Sequence, residues 1–514
     1  MEARILWADD EIDLLKPHIL FLEQKGYEID TVNNGSEAVD MAASKHYDII
    51  FLDENMPGLN GLETLAQIKA NNQSVPVIMI TKSEEEYIME EAIGGQISDY
   101  LIKPVNPNQI LLSLKKNLDT KDLVSQKNTH DYQVEFRQIG MRLNDRLDVH
   151  EWSDIYRKLV QWEIKLEASS DEGMKEIFTM QKKEANTQFC RFIDNNYTDW
   201  IQGSMDGPLM SHELLKARVF DAVKKEPVYL IVIDNLRYDQ WVVLQPLVSE
   251  FFNIEQEEIF YSILPTATQY ARNAIFAGLM PLEIEKKYPQ FWKNESDEGG
   301  KNMFEEDLLR ANLKRNNINV KMSYNKVVKL DFAKRLVDKF NELDKNDLNV
   351  IVYNFVDMLS HARTEMEVIK ELADDEAAYR SLTKTWFNHS PLKEIFKKIA
   401  EKGIKTFLTT DHGTIRVENA VKIVGDKHTN TNLRYKVGKN LSFNEKEVFV
   451  AEKPSDIKLP QENVSSTFVF AKDADFFAYP NNFNYYVNYY KDTFQHGGVS
   501  LEEVLIPFVT LKAK

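Results

Sequence analysis

Short apolar runs that end in an aspartate recur along this chain and limit the folds it can adopt. Asp9 follows the run Ile5–Ala8, and Asp234 follows the run Val228–Ile233. Such runs, bounded by charged residues, are typical of strands buried on both faces of a parallel sheet. The carboxyl ends of parallel strands meet at one edge of the sheet, where ligands bind. The pattern therefore predicts α/β domains with acidic sites at a sheet edge.

Length and composition indicate a globular protein of several domains. A chain of 514 residues with 43% hydrophobic residues is too long for one core, and about three domains are expected. The single cysteine, Cys190, excludes an internal disulfide and suits a reducing cytoplasm. The sequence shows neither a signal peptide nor a membrane-length apolar run. The net charge of −18 argues against binding to duplex DNA. We therefore expect a cytoplasmic protein.

Residues 1–120 alternate predicted strands and helices, as a small doubly wound α/β domain does. The predicted strands are Ile5–Ala8, Ile49–Leu52, Val77–Ile80 and Tyr100–Ile102. The predicted helices are Ile12–Lys25, Ser36–Ser44 and Gly61–Ala70.

Polar residues stand where these predicted strands end. Asp9 and Asp10 follow one strand, and Asp53 follows another. Three carboxylates at one sheet edge would repel one another unless a cation held them, and oxygen ligands suit Mg²⁺. Thr81 and Lys103 end two further strands and offer a hydroxyl and an ammonium to the oxygens of a phosphorylated aspartate.

This segment resembles the receiver domain of response regulators. The motifs that carry the resemblance are Ala8-Asp9-Asp10-Glu11, Leu52-Asp53-Glu54-Asn55-Met56-Pro57-Gly58, Thr81 and Lys103-Pro104. The resemblance implies that Asp53 accepts a phosphoryl group from a sensor histidine kinase and that phosphorylation promotes a homodimer. It implies Mg²⁺ ligands at Asp9, Asp10, Asp53 and the Asn55 carbonyl, and switch residues at Thr81, Tyr100 and Lys103.

Residues 121–215 are predicted to form a helical bundle after a polar linker at Lys121–Asp131. Three series of apolar residues at helical spacing follow the linker, within Phe136–Leu147, Trp152–Leu166 and Met174–Ile193. This segment offers no candidate catalytic residue. We expect it to join the first domain to the rest of the chain and to relay its phosphorylation state.

Residues 216–514 contain a second series of predicted strands that end in aspartate. The run Val228–Ile233 is followed by Asp234, and the run Val350–Val356 is followed by Asp357. A third run, Thr406–Leu408, comes shortly before Asp411. The candidate metal ligands are Asp234, Asp357, His361, Asp411, His412 and His496. His361 lies four residues after Asp357, so both share a face if the chain is helical there. Six such ligands suffice for two metal ions. An ordinary loop position is the alternative for each histidine alone.

A nucleophile is expected near the segment Leu264–Arg272, which precedes a predicted helix. Thr266 and Thr268 are the candidates, because a hydroxyl at a helix N-terminus feels the positive end of the helix dipole. Either threonine could instead be a simple N-cap. The residues alone do not separate the two readings.

The C-terminal segment resembles the alkaline phosphatase superfamily, and within it the PglZ family. Asp234, Pro265-Thr-Ala-Thr268, Asp357-x-x-x-His361, Asp411-His412-Gly413 and His496-Gly-Gly carry the resemblance. It implies that Thr268 is the nucleophile. It implies one Zn²⁺ on Asp234, Thr268, Asp411 and His412, and a second Zn²⁺ on Asp357, His361 and His496. The chain departs from the phosphodiesterase pattern at Ala271, where an asparagine is expected, and Arg272 or Asn273 is the candidate replacement.

An insertion at about 415–490 carries a locally basic stretch within an acidic protein. Its candidate substrate-binding residues are His428, Arg434, Tyr435 and Lys436. A cap with such side chains over a phosphate site would suit nucleotide recognition. A solvated loop is the alternative.

Together these features predict a two-component response regulator whose output domain is a di-zinc phosphodiesterase for nucleotide or oligonucleotide substrates. The three-part arrangement resembles response regulators that control type IX secretion in Bacteroidota. That resemblance implies a transcription or sigma factor as a possible partner, without direct binding to duplex DNA. One alternative is a phosphorylation-switched protein-binding regulator whose metal domain is structural. Another is a phosphomonoesterase or phosphomutase on the same scaffold.

Overall fold

The computed structural model describes residues 3–72, 75–82, 97–118, 132, 134–167, 172–343, 345–365, 375–426 and 429–514. The chain divides into two compact units, one made of 1–131 with 168–172 and the other of 132–167 with 173–514. The predicted linker Lys121–Asp131 lies outside the described residues. Within the described ranges, no helix has the length and apolar character needed to cross a membrane.

The first unit contains a five-stranded parallel sheet. Its strands are β1 Arg4–Ala8, β2 Glu28–Val32, β3 Ile49–Asp53, β4 Val77–Thr81 and β5 Asp99–Ile102. Its helices are α1 Lys16–Glu23, α2 Gly35–Ser44, α3 Gly61–Asn71 and α4 Pro107–Leu118. The strand order is β2-β1-β3-β4-β5, with a separate apolar core on each face. The predicted doubly wound α/β domain is confirmed.

Two details of this unit differ from the sequence prediction, and each has a local cause. Strand β2 was not predicted, because the polar residues Glu28, Asp30 and Thr31 interrupt its apolar pattern at the sheet edge. The predicted helix Ile12–Lys25 is instead a 3-10 turn followed by α1. Pro17 lacks the backbone N–H that would continue an α-helix through this point.

The second unit begins with three helices, at 134–143, α5 Val149–Glu167 and α6 Glu172–Gln202. The predicted helical middle is therefore confirmed. Its apolar faces belong to the same hydrophobic core as the C-terminal sheet. The Tyr261 hydroxyl, for example, donates a hydrogen bond to the Val149 carbonyl over 2.9 Å.

The rest of this unit is an α/β fold with a large sheet and several small ones. Its strands are β6 Val228–Ile233, β7 Phe252–Tyr261, β8 Met322–Val327, β9 Leu348–Tyr353, β10 Lys405–Thr409, β11 Ile415–Arg416, β12 Asn419–Lys422, β13 Tyr435–Lys439, β14 Val448–Ala451, β15 Ser466–Ala471, β16 Asp475–Ala478, β17 Phe494–Gln495 and β18 Leu505–Ala513. Its helices are α7 Phe220–Val223, α8 Tyr238–Val248, α9 Thr268–Ala277, α10 Pro281–Lys287, α11 Glu305–Arg315, α12 Leu330–Asp338, α13 Phe340–Leu343, α14 Phe355–Glu365, α15 Glu376–His389, α16 Pro391–Glu401, α17 Phe483–Tyr490 and α18 Leu501–Val504.

The large sheet has the order β7-β18-β10-β6-β9-β8. Strands β10, β6, β9 and β8 are parallel, whereas β18 runs antiparallel to β10 on one side and to β7 on the other. The expected open parallel sheet is thus a mixed one. Strands β6 and β9 lie in its interior and are buried along their whole length, as continuous aliphatic runs require.

The insertion between β10 and β18 forms its own small sheets. β13, β15 and β14 make a three-stranded sheet, β12 pairs with β16, and β11 pairs with β17. The pairing of β11 with β17 brings together the chain that follows Asp411 and the chain that precedes His496. The insertion thus begins and ends beside predicted metal ligands.

Two candidate metal centres

The first acidic group, here called the N-terminal cluster, consists of Asp9, Asp10 and Asp53. Each offers an oxygen within 4.8 Å of the others. Asp9 and Asp53 are buried, whereas Asp10 is exposed. The Lys103 ammonium lies 2.8 Å from Asp9 Oδ2 and 2.8 Å from Asp53 Oδ1. The parallel strands β1, β3 and β5 bring these residues to one edge of the sheet.

Burial dominates the electrostatics of this cluster. It raises the pKa of Asp53 to about 6, an effect that the Asp9 carboxylate reinforces and the Lys103 hydrogen bond opposes. Burial by itself lowers the pKa of the Lys103 ammonium. The hydrogen bonds to Asp53 and Asp9 outweigh this effect, so the pKa is raised. A cluster made only of oxygen ligands, one of them open to solvent, fits a hard cation such as Mg²⁺.

The predicted switch residues lie at the same sheet edge. Thr81 is buried, and its hydroxyl donates a hydrogen bond to the Glu54 carboxylate. Burial raises the pKa of Tyr100, and a hydrogen bond with Thr81 opposes this effect. Asn55 is exposed in the loop after β3. Thr81 therefore links the residue after Asp53 to the aromatic side chain on β5.

The second group, the C-terminal cluster, consists of Asp234, Asp411 and His412. Its ligand atoms also lie within 4.8 Å of one another, and all three residues are buried. Asp234 directly follows β6, and Asp411 and His412 come just after β10. Because β6 and β10 are parallel neighbours, their carboxyl ends deliver these side chains to one place.

Thr268 is the threonine that reaches the C-terminal cluster. Its hydroxyl lies 3.1 Å from His412 Nε2 and 3.4 Å from Asp234 Oδ1. It is the first residue of α9 and is half-buried among buried neighbours. The Thr266 hydroxyl instead donates to the Gly498 carbonyl over 2.9 Å and is fully buried. The N-cap of α9 is Ala267, so the N-cap interpretation of the two threonines is wrong.

Hydrogen bonds orient two histidine rings toward carboxylates. Nδ1 of His412 lies 3.0 Å from the Gly413 carbonyl, and Nδ1 of His496 lies 3.2 Å from the Thr266 carbonyl. In the tautomer that donates from Nδ1, the Nε2 lone pair is available to a metal. Nε2 of His412 is 3.7 Å from Asp411 Oδ2. Burial lowers the pKa of His412, which favours the neutral ring that binds metals.

The second predicted ligand set is only partly described. Nε2 of His496 lies 3.7 Å from Asp357 Oδ1, and the rings of His496 and His412 stack with centroids 4.3 Å apart. Asp357 lies in the first turn of α14, because β9 ends at Tyr353 rather than at Val356. His361 belongs to the same helix one turn later, and its side chain lies outside the described residues.

Arg272 contacts the C-terminal cluster directly, in a role that differs from the predicted one. Its Nη1 lies 2.6 Å from Asp234 Oδ2, and its Nε donates to Glu305 Oε1 over 2.6 Å. Burial raises the pKa of Asp234 to about 6, and Arg272 opposes this effect. The predicted alternative, Asn273, is buried and donates to the Gln269 carbonyl. Both side chains therefore bind protein groups.

The C-terminal cluster also contains a polar atom without a hydrogen-bond partner in the described part of the chain. Asp411 Oδ2 is buried and receives no hydrogen bond there. Its nearest charged neighbours are Arg272 Nη1 and His412 Nε2, each at 3.7 Å. A buried carboxylate oxygen is normally hydrogen-bonded or bound to a cation. Together with the imidazole donor, this oxygen fits a metal ligand set of the Zn²⁺ type.

The insertion residues predicted to bind substrate are engaged by protein groups. Arg434 is fully buried, and its Nη2 lies 2.6 Å from Glu503 Oε2. The Tyr435 hydroxyl donates to Glu295 over 2.6 Å, and the Lys436 ammonium donates to the Asn430 carbonyl over 2.9 Å. His428 lies outside the described residues. For Arg434 the prediction is corrected, because its guanidinium forms a buried ion pair instead.

Glu503 is a structural residue of the site that the sequence did not reveal. Its Oε1 accepts a hydrogen bond from the Gly498 amide over 2.9 Å. The Gly497 amide donates to the Thr266 hydroxyl over 3.1 Å. These bonds join the loop that carries His496 to the loop that carries Thr268. A glutamate just before a C-terminal strand carries no sequence signal for such a role.

The helix α6 contacts both of these loops from outside the sheet. The Tyr197 hydroxyl accepts a hydrogen bond from the Leu264 amide over 2.8 Å. The Asn186 side chain accepts from the Leu501 amide over 2.8 Å and donates to Glu502 over 2.9 Å.

Gly413 packs so closely that a Cβ there would lie 1.9 Å from the Glu502 carbonyl oxygen. The Asp-His-Gly motif therefore needs its glycine for close packing.

Comparison with known families matches all three parts of the chain. Residues 5–115 match the response regulator receiver domain, and 122–201 match the PorX response regulator linker domain. Residues 214–511 match the BREX system PglZ alkaline phosphatase-like domain.

Individual relatives match the first part of the chain. The transcriptional regulatory protein ResD of Bacillus subtilis is 35% identical over 114 residues, which are 22% of this chain and 47% of ResD. The alginate biosynthesis transcriptional regulatory protein AlgB of Pseudomonas putida is 32% identical over 122 residues, 24% of this chain and 27% of AlgB. The chain thus spans less than half the length of these relatives. Among solved structures, a response regulator receiver domain protein from Methanospirillum hungatei is similar, with 25% sequence identity and a TM-score of 0.23. The match covers 23% of this chain and 96% of the Methanospirillum chain.

The fold and the matched regions together define a response regulator whose output domain is alkaline phosphatase-like. The chain belongs to the PglZ alkaline phosphatase-like family, in the three-part arrangement of a PorX-like response regulator. Both matched domain types generally use metal ions.

Proposed function

We propose that this response regulator is a metal-dependent phosphodiesterase whose nucleophile is Thr268 and whose output is controlled through Asp53. One observation carries the enzymatic part of the proposal. The Thr268 hydroxyl stands within 3.4 Å of both His412 and Asp234, at the start of a helix. It therefore combines access for a substrate with contact to the candidate metal ligands.

The proposed Zn²⁺ ligands form two sets, and the contacts of Asp234, Asp411 and His412 support the first of them. One Zn²⁺ would be held by Asp234, Asp411, His412 and the Thr268 oxygen. The other would be held by Asp357, His361 and His496. When bound, such cations stabilise negative charge on the phosphoryl oxygens and on the attacking and leaving oxygens. In the N-terminal cluster, Mg²⁺ would be held by Asp9, Asp10, Asp53 and Asn55.

The protein groups would orient the reaction. Thr268 Oγ1 loses its proton to solvent and attacks phosphorus in line, the bond from phosphorus to the leaving oxygen breaks, that oxygen takes up a proton, and a phosphothreonine ester forms. Water then attacks phosphorus, the bond from phosphorus to Oγ1 breaks, Oγ1 takes up a proton, and the phosphomonoester leaves. The N-terminus of α9 places backbone amides and the positive end of its dipole next to the anionic group. Arg272 holds Asp234 ionised, because the guanidinium stabilises the carboxylate against burial.

A small chromogenic diester tests the enzymatic proposal. With Zn²⁺ present, Thr268→Ala should lower hydrolysis of bis(p-nitrophenyl) phosphate by on the order of a thousandfold, while Thr268→Ser retains part of the rate. Thr179→Ala is the matched control, because Thr179 is exposed on α6. Unchanged hydrolysis in Thr268→Ala would exclude this nucleophile. Faster turnover of p-nitrophenyl phosphate than of the diester would favour a monoesterase.

Regulation would begin at the N-terminal cluster. A phosphoryl group on Asp53 would attract the Thr81 hydroxyl away from Glu54, while Lys103 would stay at the modified aspartate. Tyr100 would follow Thr81, and we propose that the altered surface forms a homodimer. Light scattering with and without beryllofluoride tests this step, since the mass should double in the wild type but not in Asp53→Ala. An equal mass in all samples contradicts phosphorylation-dependent dimerisation.

The proposed cellular output is control of type IX secretion. The match of residues 122–201 to the PorX linker domain supports this assignment. The proposed partners are a sensor histidine kinase, a nucleotide or oligonucleotide substrate, and a transcription or sigma factor. Secretion assays in cells that carry Asp53→Ala or Thr268→Ala test whether phosphorylation and hydrolysis both contribute. Wild-type secretion in both variants would contradict the assignment.

A further inference from the structure

The helix α17 carries four tyrosines on a short stretch of the insertion. Tyr485, Tyr486 and Tyr489 are 64%, 37% and 40% exposed. The rings of Tyr485 and Tyr489 have centroids 6.1 Å apart and are tilted by 15°. The rings of Tyr486 and Tyr490 have centroids 6.2 Å apart and are tilted by 11°. The helix thus presents two pairs of nearly parallel aromatic rings, and three of the four rings are substantially open to solvent.

The stretch of chain that forms this surface contains no acidic residue, although the protein is strongly acidic. The chain contains 81 acidic residues in 514, yet residues 476–491 contain no aspartate or glutamate. The same stretch contains four asparagines and ends at Lys491. The Lys422 ammonium lies 5.0 Å above the Phe483 ring. Asp492, which follows directly, lies 3.3 Å from Arg416 in an ion pair. The helix itself therefore contributes no negative charge that would repel a polyanion, and Lys422 and Lys491 add positive charge at its two ends.

This surface is close to the C-terminal site in sequence. The helix ends at Tyr490, and His496 follows after the short strand β17. β17 pairs with β11, which begins two residues after Gly413. Six residues of chain span at most about 20 Å, so the tyrosines lie within a few nucleotide lengths of His496.

We propose that the tyrosine surface, Tyr485, Tyr486 and Tyr489 of α17, binds the bases of a single-stranded nucleic acid by stacking. This inference rests on the proposed function and specifies its substrate class. Exposed aromatic faces are the means by which proteins bind single strands without reading their sequence. The asparagine amides offer donors and acceptors to base edges. A protein partner would also use exposed tyrosines, but the absence of acidic residues from 476–491 and the short chain path to His496 favour a polyanionic substrate.

Binding can be measured separately from hydrolysis. The probe is a ten-nucleotide oligothymidylate with a fluorescein label, followed by anisotropy with the full chain and with EDTA present to stop turnover. Replacing both Tyr485 and Tyr489 by alanine should weaken binding by about tenfold or more. Tyr485→Phe should bind normally, because the ring remains, whereas Tyr485→Leu should weaken binding although its side chain is apolar. Val464→Ala, which removes a 98% exposed apolar side chain elsewhere in the insertion, is the matched control.

Hydrolysis with Zn²⁺ present supplies the second readout. In the double alanine variant, the ratio of kcat/KM for the oligonucleotide to kcat/KM for bis(p-nitrophenyl) phosphate should fall about tenfold. Equal affinity and an equal ratio in wild type and variant would overturn the proposal, as would absence of oligonucleotide binding by the wild type. Loss of dimer mass with unchanged affinity would also overturn it and assign the surface to a second copy of the chain. Thr268→Ala should lose hydrolysis but keep the anisotropy signal, so failure of the proposed nucleophile is distinguishable from failure of this inference.

Discussion

The N-terminal and C-terminal clusters each place three metal-type ligands beside one basic side chain, but they hold that side chain differently. Lys103 bridges Asp9 and Asp53, and its side chain is 12% exposed. Arg272 binds Asp234 through one nitrogen and Glu305 through another, and it is 1% exposed. Lysine is a single charge on a flexible stem, whereas the planar guanidinium of arginine forms several fixed hydrogen bonds.

This difference matches what each site has to do. In a receiver domain the charge at the aspartate changes with phosphorylation, and a flexible ammonium can follow the added oxygens. At the C-terminal cluster the charges have to remain in place while substrates enter and leave. A guanidinium anchored to Glu305, which also lies 3.0 Å from Lys326, provides such a fixed charge. We therefore expect substitutions of the two basic residues to have different consequences.

The largest effect is expected for Arg272→Ala. The substitution removes the guanidinium group that pairs with the buried Asp234 and with Glu305. The free energy of unfolding should therefore fall by about 3–5 kcal/mol. Urea unfolding followed by tryptophan fluorescence measures the change. Arg310→Ala is the matched control, because Arg310 is exposed and pairs with Glu306 on the surface of α11. A loss below about 1 kcal/mol would contradict the anchored role, since exposed pairs contribute that little.

Much of both clusters could be predicted because local patterns report strand ends. Asp9, Asp53 and Asp234 each come directly after or at the end of a buried strand, and the structure places them at a sheet edge. Asp357 was predicted to follow a strand directly, but it lies in the first turn of the helix α14 that comes after β9. The apolar residues Phe355 and Val356 extend the strand pattern, although the chain already turns into a helix there.

The supporting residues could not be predicted, because their partners are far away in sequence. The Tyr197 hydroxyl meets the amide of Leu264, 67 residues away, and Asn186 meets Glu502, 316 residues away. Neither residue has a distinctive local pattern within its helix. The pairing of Arg434 with Glu503 likewise depends on the fold of the insertion. Because the sequence does not reveal this pairing, it allows the arginine to be interpreted as a substrate ligand.

The next largest effect concerns metal binding and pH. Burial raises the pKa of Asp234 and of Asp53 to about 6. Because these folded-state values lie above the unfolded ones, this contribution to stability is present below about pH 4 and is lost as pH rises from there to about 6. For the buried Asp234 the loss is roughly 3 kcal/mol. A bound cation stabilises the ionised form, so the gain in stability on adding metal should be larger at pH 7.5 than at pH 5.5.

Hydrogen exchange distinguishes the two clusters in this experiment. Zn²⁺ should slow exchange in peptides from β6, since the C-terminal cluster contains an imidazole, and Mg²⁺ should slow exchange in peptides from β3. EDTA should reverse both effects. A gain that is equal at the two pH values, or a Zn²⁺ effect confined to β3, would show that the ligand assignments are wrong.

A smaller effect is expected for Lys103→Ala. The side chain is partly exposed, so its loss should lower stability by only about 1 kcal/mol, and Mg²⁺ should restore the loss by replacing the missing positive charge. Zn²⁺ should not restore Arg272→Ala fully, because the buried Glu305 still lacks one of its two cationic partners. Lys82→Ala is the control, since Lys82 is exposed and pairs with Glu11. Equal rescue of both variants by their metals would remove the distinction between a flexible and an anchored charge.

The smallest effect tests whether the C-terminal site depends on the helix α6, which lies outside its sheet. Tyr197→Phe removes the acceptor of the Leu264 amide, which is worth about 1 kcal/mol. Tyr156→Phe is the matched control, because the Tyr156 hydroxyl is buried without a hydrogen bond among the described residues. Since Leu264 begins the loop that carries Thr268, kcat for a small diester should fall a few-fold in Tyr197→Phe while KM stays unchanged. If the two variants lose equal activity, α6 merely fills space; if Tyr197→Phe alone is affected, α6 positions the nucleophile loop.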